Sequence, residues 1–294
     1  MQAHLEDYIN RNKTMFQEEM SKYLRPLDIP GQLKESMLYS VEAGGKMLRP
    51  VLLIASYEVY NRDVNKALST AIALEMIHTY SLIHDDLPAM DNDDYRRGKL
   101  TNHKVFDEAT AILAGDALLT YSFEIISSDP HLSDSEKVEL IKYLSRASGP
   151  KGMVGGQILD MKAENNPVIL SELEEIHTLK TGELLKFAIY SGAYLGDATK
   201  EQLYYLNDFA YYLGLIFQVQ DDILDVTGDP DKLGKPLGSD EDNQKSTYPK
   251  ILGTNGAYDH KQQYVLKAKE ALHKASAADS YLMALTDHFS QRDH

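Results

Sequence analysis

The chain contains no cysteine and no tryptophan among its 294 residues. Without cysteine it cannot form disulfide bonds or bind a metal through thiolates. Cysteine content therefore does not indicate whether the protein works in an oxidising or a reducing compartment. Basic residues are also scarce, because 30 lysines and arginines face 45 aspartates and glutamates, for a formal net charge of −15. This balance argues against a nucleic-acid partner, which requires a basic face, and against an anionic membrane surface.

Long apolar runs are missing as well. Glu75, His78 and Asp116 interrupt the most apolar stretches, and none reaches the ~18 residues that a membrane-spanning helix needs. The first residues are polar and acidic and lack the apolar segment of a secretory signal. We therefore expect a cytoplasmic protein without a membrane span.

Strand-like alternation is rare, whereas apolar residues recur at helical spacing. Leu5, Tyr8, Phe16 and Met20 form one such stripe near the amino terminus. Turn-forming residues are grouped at 26–31, 44–45, 149–156 and 228–238, and no repeat or long linker separates domains. The sequence predicts a single all-α domain over residues 1–294, with roughly ten helices if typical helix lengths apply.

The first of two acidic clusters follows an apolar helical segment. The stretch LIHDDLPAMDNDDYRRGK carries Asp85, Asp86 and Asp91, followed by Asp93 and Asp94. A regular helix would not bring Asp85 and Asp91 together. Pro88 lacks a backbone N–H and disturbs the preceding turn, so we expect the helix to end near Asp86 and the chain to return Asp91 towards Asp85.

The second cluster, QVQDDILDVTGD, carries Asp221, Asp222 and Asp225 and also follows an apolar segment. Asp221 and Asp225 are four residues apart, so on a helix they share one face and repel each other. A magnesium ion would relieve this repulsion, since it prefers oxygen ligands and is held by one or two carboxylates with phosphate oxygens and water. A solvated acidic face is the ordinary alternative, and neither cluster has the spacing of an EF-hand loop.

Basic residues gather in short motifs that complement the acidic clusters. Arginine binds phosphate oxygens through a bidentate fork, and lysine acts as a point charge. The motifs are GGKMLRP with Lys46 and Arg49, RRG with Arg96 and Arg97, KTG with Lys180 and Thr181, and GKPLGSDEDNQKSTYP with Lys235 and Lys245; His78 lies between the first two. Acidic and basic groups together indicate a ligand with phosphate groups, bound partly through metal ions.

In order and spacing these motifs resemble the short-chain trans-prenyl diphosphate synthases, and most of all the bacterial farnesyl diphosphate synthases. GGKxLRP, DDxxxxD with RRG, GGQxxD, KTG, and QxxDDxxD with GKxxGxD and KxTYP follow one another from Gly44 to Pro249. Met47 departs from the family, which usually has arginine or lysine there. The resemblance implies the all-α isoprenoid synthase fold around a deep central cavity, usually in a homodimer.

The resemblance also implies a reaction, its substrates and its metal. An allylic diphosphate would ionise and condense with isopentenyl diphosphate, with three magnesium ions at each active site. It places magnesium on Asp85, Asp91 and Asp221, supported by Asp86, Asp222 and Asp225. It places the allylic diphosphate on Arg96, Lys180, Thr181, Gln218, Lys235 and Lys245, and isopentenyl diphosphate on Lys46, Arg49, His78 and Arg97. Lys180, Thr181 and Gln218 would also stabilise the carbocation and are the candidate catalytic residues.

Tyr80 and Ser81 are the candidates for control of product length. They precede Asp85 by five and four residues and lie near the same helix face. In the resembling family a bulky aromatic residue at this position, together with the two-residue insertion in the first aspartate motif, goes with a fifteen-carbon product. We therefore expect farnesyl diphosphate, made by two additions to dimethylallyl diphosphate.

Three alternatives stay open. A geranylgeranyl diphosphate synthase would make the twenty-carbon product. A terpene cyclase or squalene-synthase-like enzyme would not need Lys46, Arg49 and Arg97 for a second diphosphate. A non-catalytic regulatory subunit typically lacks one aspartate cluster, whereas both are present here.

Overall fold

The computed structural model describes residues 2–164, 166–227 and 246–292. Within these ranges the chain forms thirteen α-helices, one π-helical turn and one short antiparallel ribbon, so the all-α prediction is confirmed. The predicted count of roughly ten was too low, partly because α5 has only four residues. The central cavity implied by the resemblance stays a prediction.

The elements have the following bounds. The helices are α1 (Gln2–Leu24), α2 (Gly31–Glu42), α3 (Leu48–Glu58), α4 (Asn65–Asp85), α5 (Asn102–Val105), α6 (Glu108–Ser128), α7 (Asp134–Ser148), α8 (Met153–Ala163), α9 (Leu170–His177), α10 (Glu183–Leu195), α11 (Lys200–Thr227), α12 (Tyr248–Lys274) and α13 (Tyr281–Gln291). The π-helical turn is Thr178–Gly182, and the ribbon pairs β1 (Tyr95–Arg96) with β2 (Lys99–Leu100).

Several helices begin at residues whose side chains satisfy free backbone N–H groups. Asp107 accepts a hydrogen bond of 2.7 Å from the Thr110 N–H at the start of α6. Thr247 caps α12, and Pro249 occupies the first turn of that helix, where its missing N–H costs nothing. Ser280 caps α13 in the same way. These short polar residues fix the helix boundaries from local sequence.

Residue contacts divide the chain into two compact units. The first unit contains residues 2–54 and 63–141, and the second contains residues 55–62 and the chain from 142 onward. Helix α3 contributes to both, because its residues up to Ile54 belong to the first unit and those from Ala55 to the second. The prediction of a single domain over 1–294 stays a prediction.

In the first unit, α4 is the central helix and packs most extensively against α6. Residues around most of its circumference are buried, which explains its weak amphipathic pattern. The α1 stripe identified from the sequence is also buried, with Phe16 and Met20 fully excluded from solvent. The first unit therefore holds α4 rigidly up to the acidic turn that follows it.

In the second unit, α11 is the central helix and packs against α12, α10 and α13. Its core positions Phe209, Leu213 and Ile216 are fully buried. Two hydroxyls tie the early segment 55–62 into this unit, since Ser56 donates to the Ile189 carbonyl and Tyr60 to the Ala275 carbonyl, both at 2.7 Å. The second acidic cluster, at the end of α11, is therefore held in a fixed position by this packing.

One described helix, α6, is long and apolar enough by length and composition to cross a membrane. Asp116 therefore interrupts this stretch less than the sequence expectation assumed. A single helix of this kind is weak evidence for a span, because core helices of soluble proteins have the same composition.

Candidate active site

The first acidic motif lies on a tight turn at the end of α4. The helix ends at Asp85, as predicted, and the chain turns so that the Asp91 N–H donates to the Asp85 carbonyl at 2.8 Å. Asn92, at a positive φ of 53°, donates its N–H to the Leu87 carbonyl and completes the turn. The predicted return of Asp91 towards Asp85 is confirmed.

Asp86 differs from its neighbours because it is buried. The residue is 3% exposed, and its carboxylate accepts a hydrogen bond of 2.6 Å from Nε of Arg96. Burial raises the pKa of Asp86 to about 6, although the Arg96 charge acts to lower it. Asp86 thus holds Arg96 in position beside the motif.

The last two aspartates of the cluster pair with nearby basic groups. Asp93 lies 3.3 Å from the Arg96 guanidinium, and Asp94 lies 2.7 Å from Nζ of Lys104. Both aspartates are exposed. Asp93 and Asp94 therefore form surface ion pairs beside the motif.

A basic group, Arg49, His78 and Arg97, lies in the same unit. Burial is the main cause that lowers the pKa of each, and each also carries the repulsion of other arginines. The pKa of His78 lies well below its usual value, so this imidazole is neutral at pH 7. These are three of the four residues predicted to bind isopentenyl diphosphate. The charges of Arg49 and Arg97 act on each other and on His78.

The glycine pair before Lys46 has a steric role at this basic group. A Cβ on Gly45 would lie 2.6 Å from Cζ of Arg97, so the guanidinium rests directly on the backbone at this glycine. Arg97 itself has a positive φ of 55°. Gly45 therefore allows the predicted binding loop and Arg97 to approach each other closely.

Glu75 was missed as a site residue by the sequence reasoning, which treated it only as an interruption of an apolar run. It is 2% exposed and lies on α4 one turn before His78. The charges of Arg49 and Arg97 both act on its carboxylate. In the sequence, Glu75 and His78 are three residues apart and so share one helix face, and this spacing could have indicated that Glu75 lies near the site.

Tyr80 and Ser81 lie on the last part of α4. Tyr80 is 5% exposed, and its ring meets the edge of His84 at a centroid distance of 5.7 Å. Ser81 is half-buried and donates to the His78 carbonyl at 2.9 Å. His84, which had no predicted role, fills the space of a missing side chain at Gly115 and places Nε2 3.0 Å from the Ile112 carbonyl. His84 therefore braces α4 against α6 and supports the Tyr80 ring.

In the second unit, the KTG motif forms the π-helical turn Thr178–Gly182. Lys180 within it forms an ion pair of 2.6 Å with Asp160 of α8. A Cβ on Gly156 would lie 2.2 Å from the Lys180 backbone nitrogen, so α8 can approach the turn only at a glycine. The aspartate of the GGQxxD motif thus lies beside Lys180, and π-helical turns are frequent at functional sites.

A cavity of about 370 Å³ lies beside this turn. Polar groups from α8, α9, α11 and the π-helical turn face it together with apolar side chains. Its polar lining includes Asp160, His177, Lys180, Thr181, Gln218, Asp221, Asp222 and Thr247. Three predicted residues of the allylic site thus line one cavity with two predicted metal ligands.

The three aspartates of α11 have distinct environments. Asp222 and Asp225 are buried, and Asp222 accepts a hydrogen bond of 2.8 Å from the Tyr248 N–H. The Asp221 side chain is 45% exposed and pairs with Arg292 at 2.5 Å. Asp221 is therefore the most accessible of the three, whereas the other two are fixed by the surrounding structure.

His177 is a second residue that sequence reasoning missed. Its ring stacks on Tyr248 at 5.9 Å, and its Nε2 lies 3.9 Å from Asp222. Gln218 lies 3.4 Å from its Nδ1. Burial lowers the pKa of His177 to about 4, so the ring is neutral at pH 7 and serves to order its polar neighbours. Its position just before KTG was the signal in the sequence.

The donor chemistry of both motifs fits magnesium. All six predicted metal residues are aspartates, and hard divalent cations prefer such oxygen donors. Within the described residues, no three acidic or imidazole side chains are grouped to hold a metal ion by themselves. A site completed by phosphate oxygens and water does not require such a group. Lys235 and Lys245, predicted for the allylic diphosphate, lie outside the described residues.

Known proteins of similar sequence and structure support the resemblance. The polyprenyl synthetase family model matches residues 30–285. The chain is 46% identical over 295 residues to the farnesyl diphosphate synthase of Geobacillus stearothermophilus, covering 100% of this chain and 99% of that protein. It is 47% identical over 298 residues to that of Bacillus subtilis (strain 168), covering 100% of both chains.

Among solved structures, an FPP/GFPP synthase from Zymomonas mobilis superposes with a TM-score of 0.88 at 37% identity, covering 99% of this chain and 100% of that one. The family model spans most of the chain, and the relatives match it from end to end. The chain therefore belongs to the polyprenyl synthetase family.

Proposed function

We propose that this protein is a farnesyl diphosphate synthase. It condenses isopentenyl diphosphate with dimethylallyl diphosphate and then with geranyl diphosphate. The observation that carries this proposal is that an aspartate holds a basic side chain beside each of the two aspartate motifs. The full-length relatives of the chain are named farnesyl diphosphate synthases. Asp86 holds Arg96 beside the first aspartate motif, and Asp160 holds Lys180 in the cavity beside the second.

Magnesium ions, three in each active site, are held by Asp85 and Asp91 of the first motif and by Asp221 of the second. Asp86, Asp222 and Asp225 support these ligands directly or through water. When bound, magnesium acts as a Lewis acid that stabilises the negative charge developing on the departing diphosphate. Asp222 and Asp225 are suited to support because they are buried and held in place.

The allylic diphosphate binds to Arg96, Lys180 and Gln218, with Lys235 and Lys245 completing the set. Lys180 meets the substrate in a fixed position because its ammonium group is tied to Asp160. Fixed donors of this kind stabilise the charge that the leaving group gains on ionisation. Thr181 and Gln218, through carbonyl and side-chain dipoles, stabilise the carbocation.

Isopentenyl diphosphate binds to Lys46, Arg49, His78 and Arg97. The arginines supply forked donors for phosphate oxygens, and neutral His78 supplies a ring N–H without adding charge. After condensation the final proton leaves with the departing diphosphate, as the family resemblance implies. His177, neutral and enclosed, stays an orienting group.

The enzyme works as a cytoplasmic homodimer. Ile112 and Leu113 on α6 are 43% and 59% exposed, although the helix is strongly apolar. Exposed apolar surface of this kind is typical of an interface between subunits. A second copy of the chain is the occupant that the family resemblance implies.

One assay tests the proposed function directly. Purified protein receives dimethylallyl and isopentenyl diphosphates with magnesium, and the dephosphorylated products are separated by chromatography. We expect fifteen-carbon farnesol as the main product and no turnover in excess chelator. A twenty-carbon product would identify a geranylgeranyl diphosphate synthase. Absence of any condensation would favour the regulatory subunit instead.

The two basic groups should separate kinetically. Arg97→Ala should raise the KM for isopentenyl diphosphate by about ten- to a hundredfold with a smaller change in the allylic KM, since a hydrogen bond to a charged group contributes roughly 1.5–3 kcal/mol. Lys180→Ala should instead affect the allylic KM or kcat. Initial rates with each substrate varied in turn measure both effects.

Lys99→Ala is the matched control, because Lys99 is an exposed cation in the same ribbon as Arg97. Its kinetic constants should stay close to those of the wild type. An Arg97→Ala variant that changes only the allylic KM would reverse the assignment of the two basic groups.

A further inference from the structure

The two arginines of the ribbon are held by different parts of the first unit. Arg97 and Gly98 form the turn between β1 and β2, and both have a positive φ, at 55° and 74°, as a tight type I′ hairpin turn requires. Arg96 is held by Asp86 at the end of α4. The Arg97 guanidinium instead rests on the backbone of Gly45, in the loop that follows α2. The position of Arg97 therefore depends on how the ribbon is fastened to α2.

Asn102, two residues after the ribbon, fastens this segment to α2. It is 3% exposed, and its Nδ2 donates to the Ser36 carbonyl at 2.9 Å and to Ser40 Oγ at 2.8 Å. Its Oδ1 accepts a hydrogen bond of 2.8 Å from Ser36 Oγ. Both amide hydrogens and the amide oxygen are thus used, and the two serines lie one turn apart on the same face of α2. A buried amide satisfied in this way fixes the relative positions of the two segments that it joins.

Two further residues tie the ribbon to this anchor. Thr101, next to Asn102, donates its N–H to the Asp94 carbonyl at 3.0 Å and closes the base of the hairpin. Tyr39 of α2 donates its hydroxyl to the Leu100 carbonyl at 2.7 Å. The ribbon is therefore held against α2 at its base and along β2. We call the four residues that join the two segments the α2 clasp: Ser36, Tyr39, Ser40 and Asn102.

The α2 clasp lies directly beside Arg97. A small cavity of about 30 Å³ is lined by Arg97 and by three residues of the clasp, Tyr39, Ser40 and Asn102. Helix α2 ends at Glu42 and leads into the glycine loop that carries Lys46. Arg97 already touches this loop at Gly45, so the guanidinium has no room to move closer, and any movement away would widen the gap. The α2 clasp therefore sets the separation between Arg97 and the loop.

We propose that Asn102 is a positioning residue of the isopentenyl diphosphate site, which holds Arg97 at the separation from Lys46 that one diphosphate group bridges. This inference rests on the proposed function, which assigns both cations to that substrate. Asn102 acts through the ribbon and not on the substrate itself. Arg96 is held independently by Asp86 of α4. The α2 clasp should therefore matter for isopentenyl diphosphate and much less for the allylic substrate.

Replacing Asn102 by alanine tests this role. We expect Asn102→Ala to raise the KM for isopentenyl diphosphate about tenfold, since a misplacement of about 1 Å in a binding group has effects of up to about a hundredfold. The allylic KM and kcat should change little, because Arg96 keeps its own partner. Initial rates with each substrate varied in turn measure the difference.

A double-mutant cycle separates positioning from general stability. In the Arg97→Ala background, Asn102→Ala should raise the KM for isopentenyl diphosphate no further, because the group that Asn102 positions is already absent. Leu140→Ala is the matched control, since it removes a fully buried side chain from α7 in the same unit. It should lower Tm and leave both KM values unchanged.

A rise confined to the KM for isopentenyl diphosphate supports the inference. Unchanged or equally changed KM values in Asn102→Ala, or additive effects with Arg97→Ala, would overturn it while the proposed function stands. If the wild-type protein does not condense isopentenyl diphosphate at all, both proposals fail. If Asn102→Ala does not fold, Tyr39→Phe provides the test, because it loses only the bond to Leu100 and keeps its ring against Phe106. An unchanged KM for isopentenyl diphosphate in Tyr39→Phe would then overturn the role of the α2 clasp.

Discussion

Replacing Asp221 by alanine should lower kcat by at least about a hundredfold, the cost of removing one group that stabilises developing negative charge. Asp221 is the accessible carboxylate of the second motif and faces the cavity that also contains Lys180. Asp225 is buried, and the Asp222 carboxylate already accepts a hydrogen bond from the Tyr248 N–H, so neither is placed to take over its role. Turnover at saturating magnesium and both substrates measures the loss.

The fold should survive this substitution. Arg292 loses its partner but keeps a hydrogen bond of 3.2 Å to the Phe217 carbonyl and a position 4.0 Å from the Phe217 ring centroid. Circular dichroism should therefore show unchanged helical content. Asp208→Ala, an exposed aspartate earlier on the same helix, is the matched control and should retain full activity. A near-normal rate in Asp221→Ala would show that the metal site is misassigned.

Replacing Tyr80 by alanine should extend the product from fifteen to twenty or more carbons. Helix α4 is continuous through this region, so Tyr80 lies roughly 7 Å along the axis from Asp85 and away from the proposed metals. Its ring is 5% exposed and held against the edge of His84. We infer that a chain growing from the metal-held diphosphate meets this ring. Chromatography of the dephosphorylated products measures the change in length.

Stability provides an independent check on the same variant. Loss of a buried aromatic ring should cost about 3–5 kcal/mol in the free energy of unfolding, so Tm should fall as the product lengthens. Tyr80→Phe keeps the ring and should keep the fifteen-carbon product. An active Tyr80→Ala enzyme that still stops at fifteen carbons would make Tyr80 a packing residue without control of length.

Features encoded by local spacing could be predicted from the sequence. Helical periodicity gave the all-α class, and Pro88 indicated the turn that returns Asp91 to Asp85. In each case the determining residues lie close in sequence or within one recurring set.

Features that depend on distant partners could not be predicted. His84 acquires its role from Gly115 on another helix, and Asp221 meets an arginine 71 residues later. In the sequence Glu75 only interrupts an apolar stretch, and the structure is needed to show that the charges of Arg49 and Arg97 act on its carboxylate. The ribbon was missed because its two-residue strands are too short to show alternation. Tertiary contacts between unrelated segments leave no periodic trace in the sequence.

The division of α3 between two units has a consequence for how the chain folds during synthesis. Residues 55–62 emerge early, yet Tyr60 bonds to a carbonyl 215 residues later in the chain. Contacts over such separations require the closure of long loops and form slowly. The first unit can therefore assemble on the ribosome from residues 2–141, whereas Ser56, in the later half of α3, meets its partner only when α10 has been made, and Tyr60 only when the chain has reached Ala275.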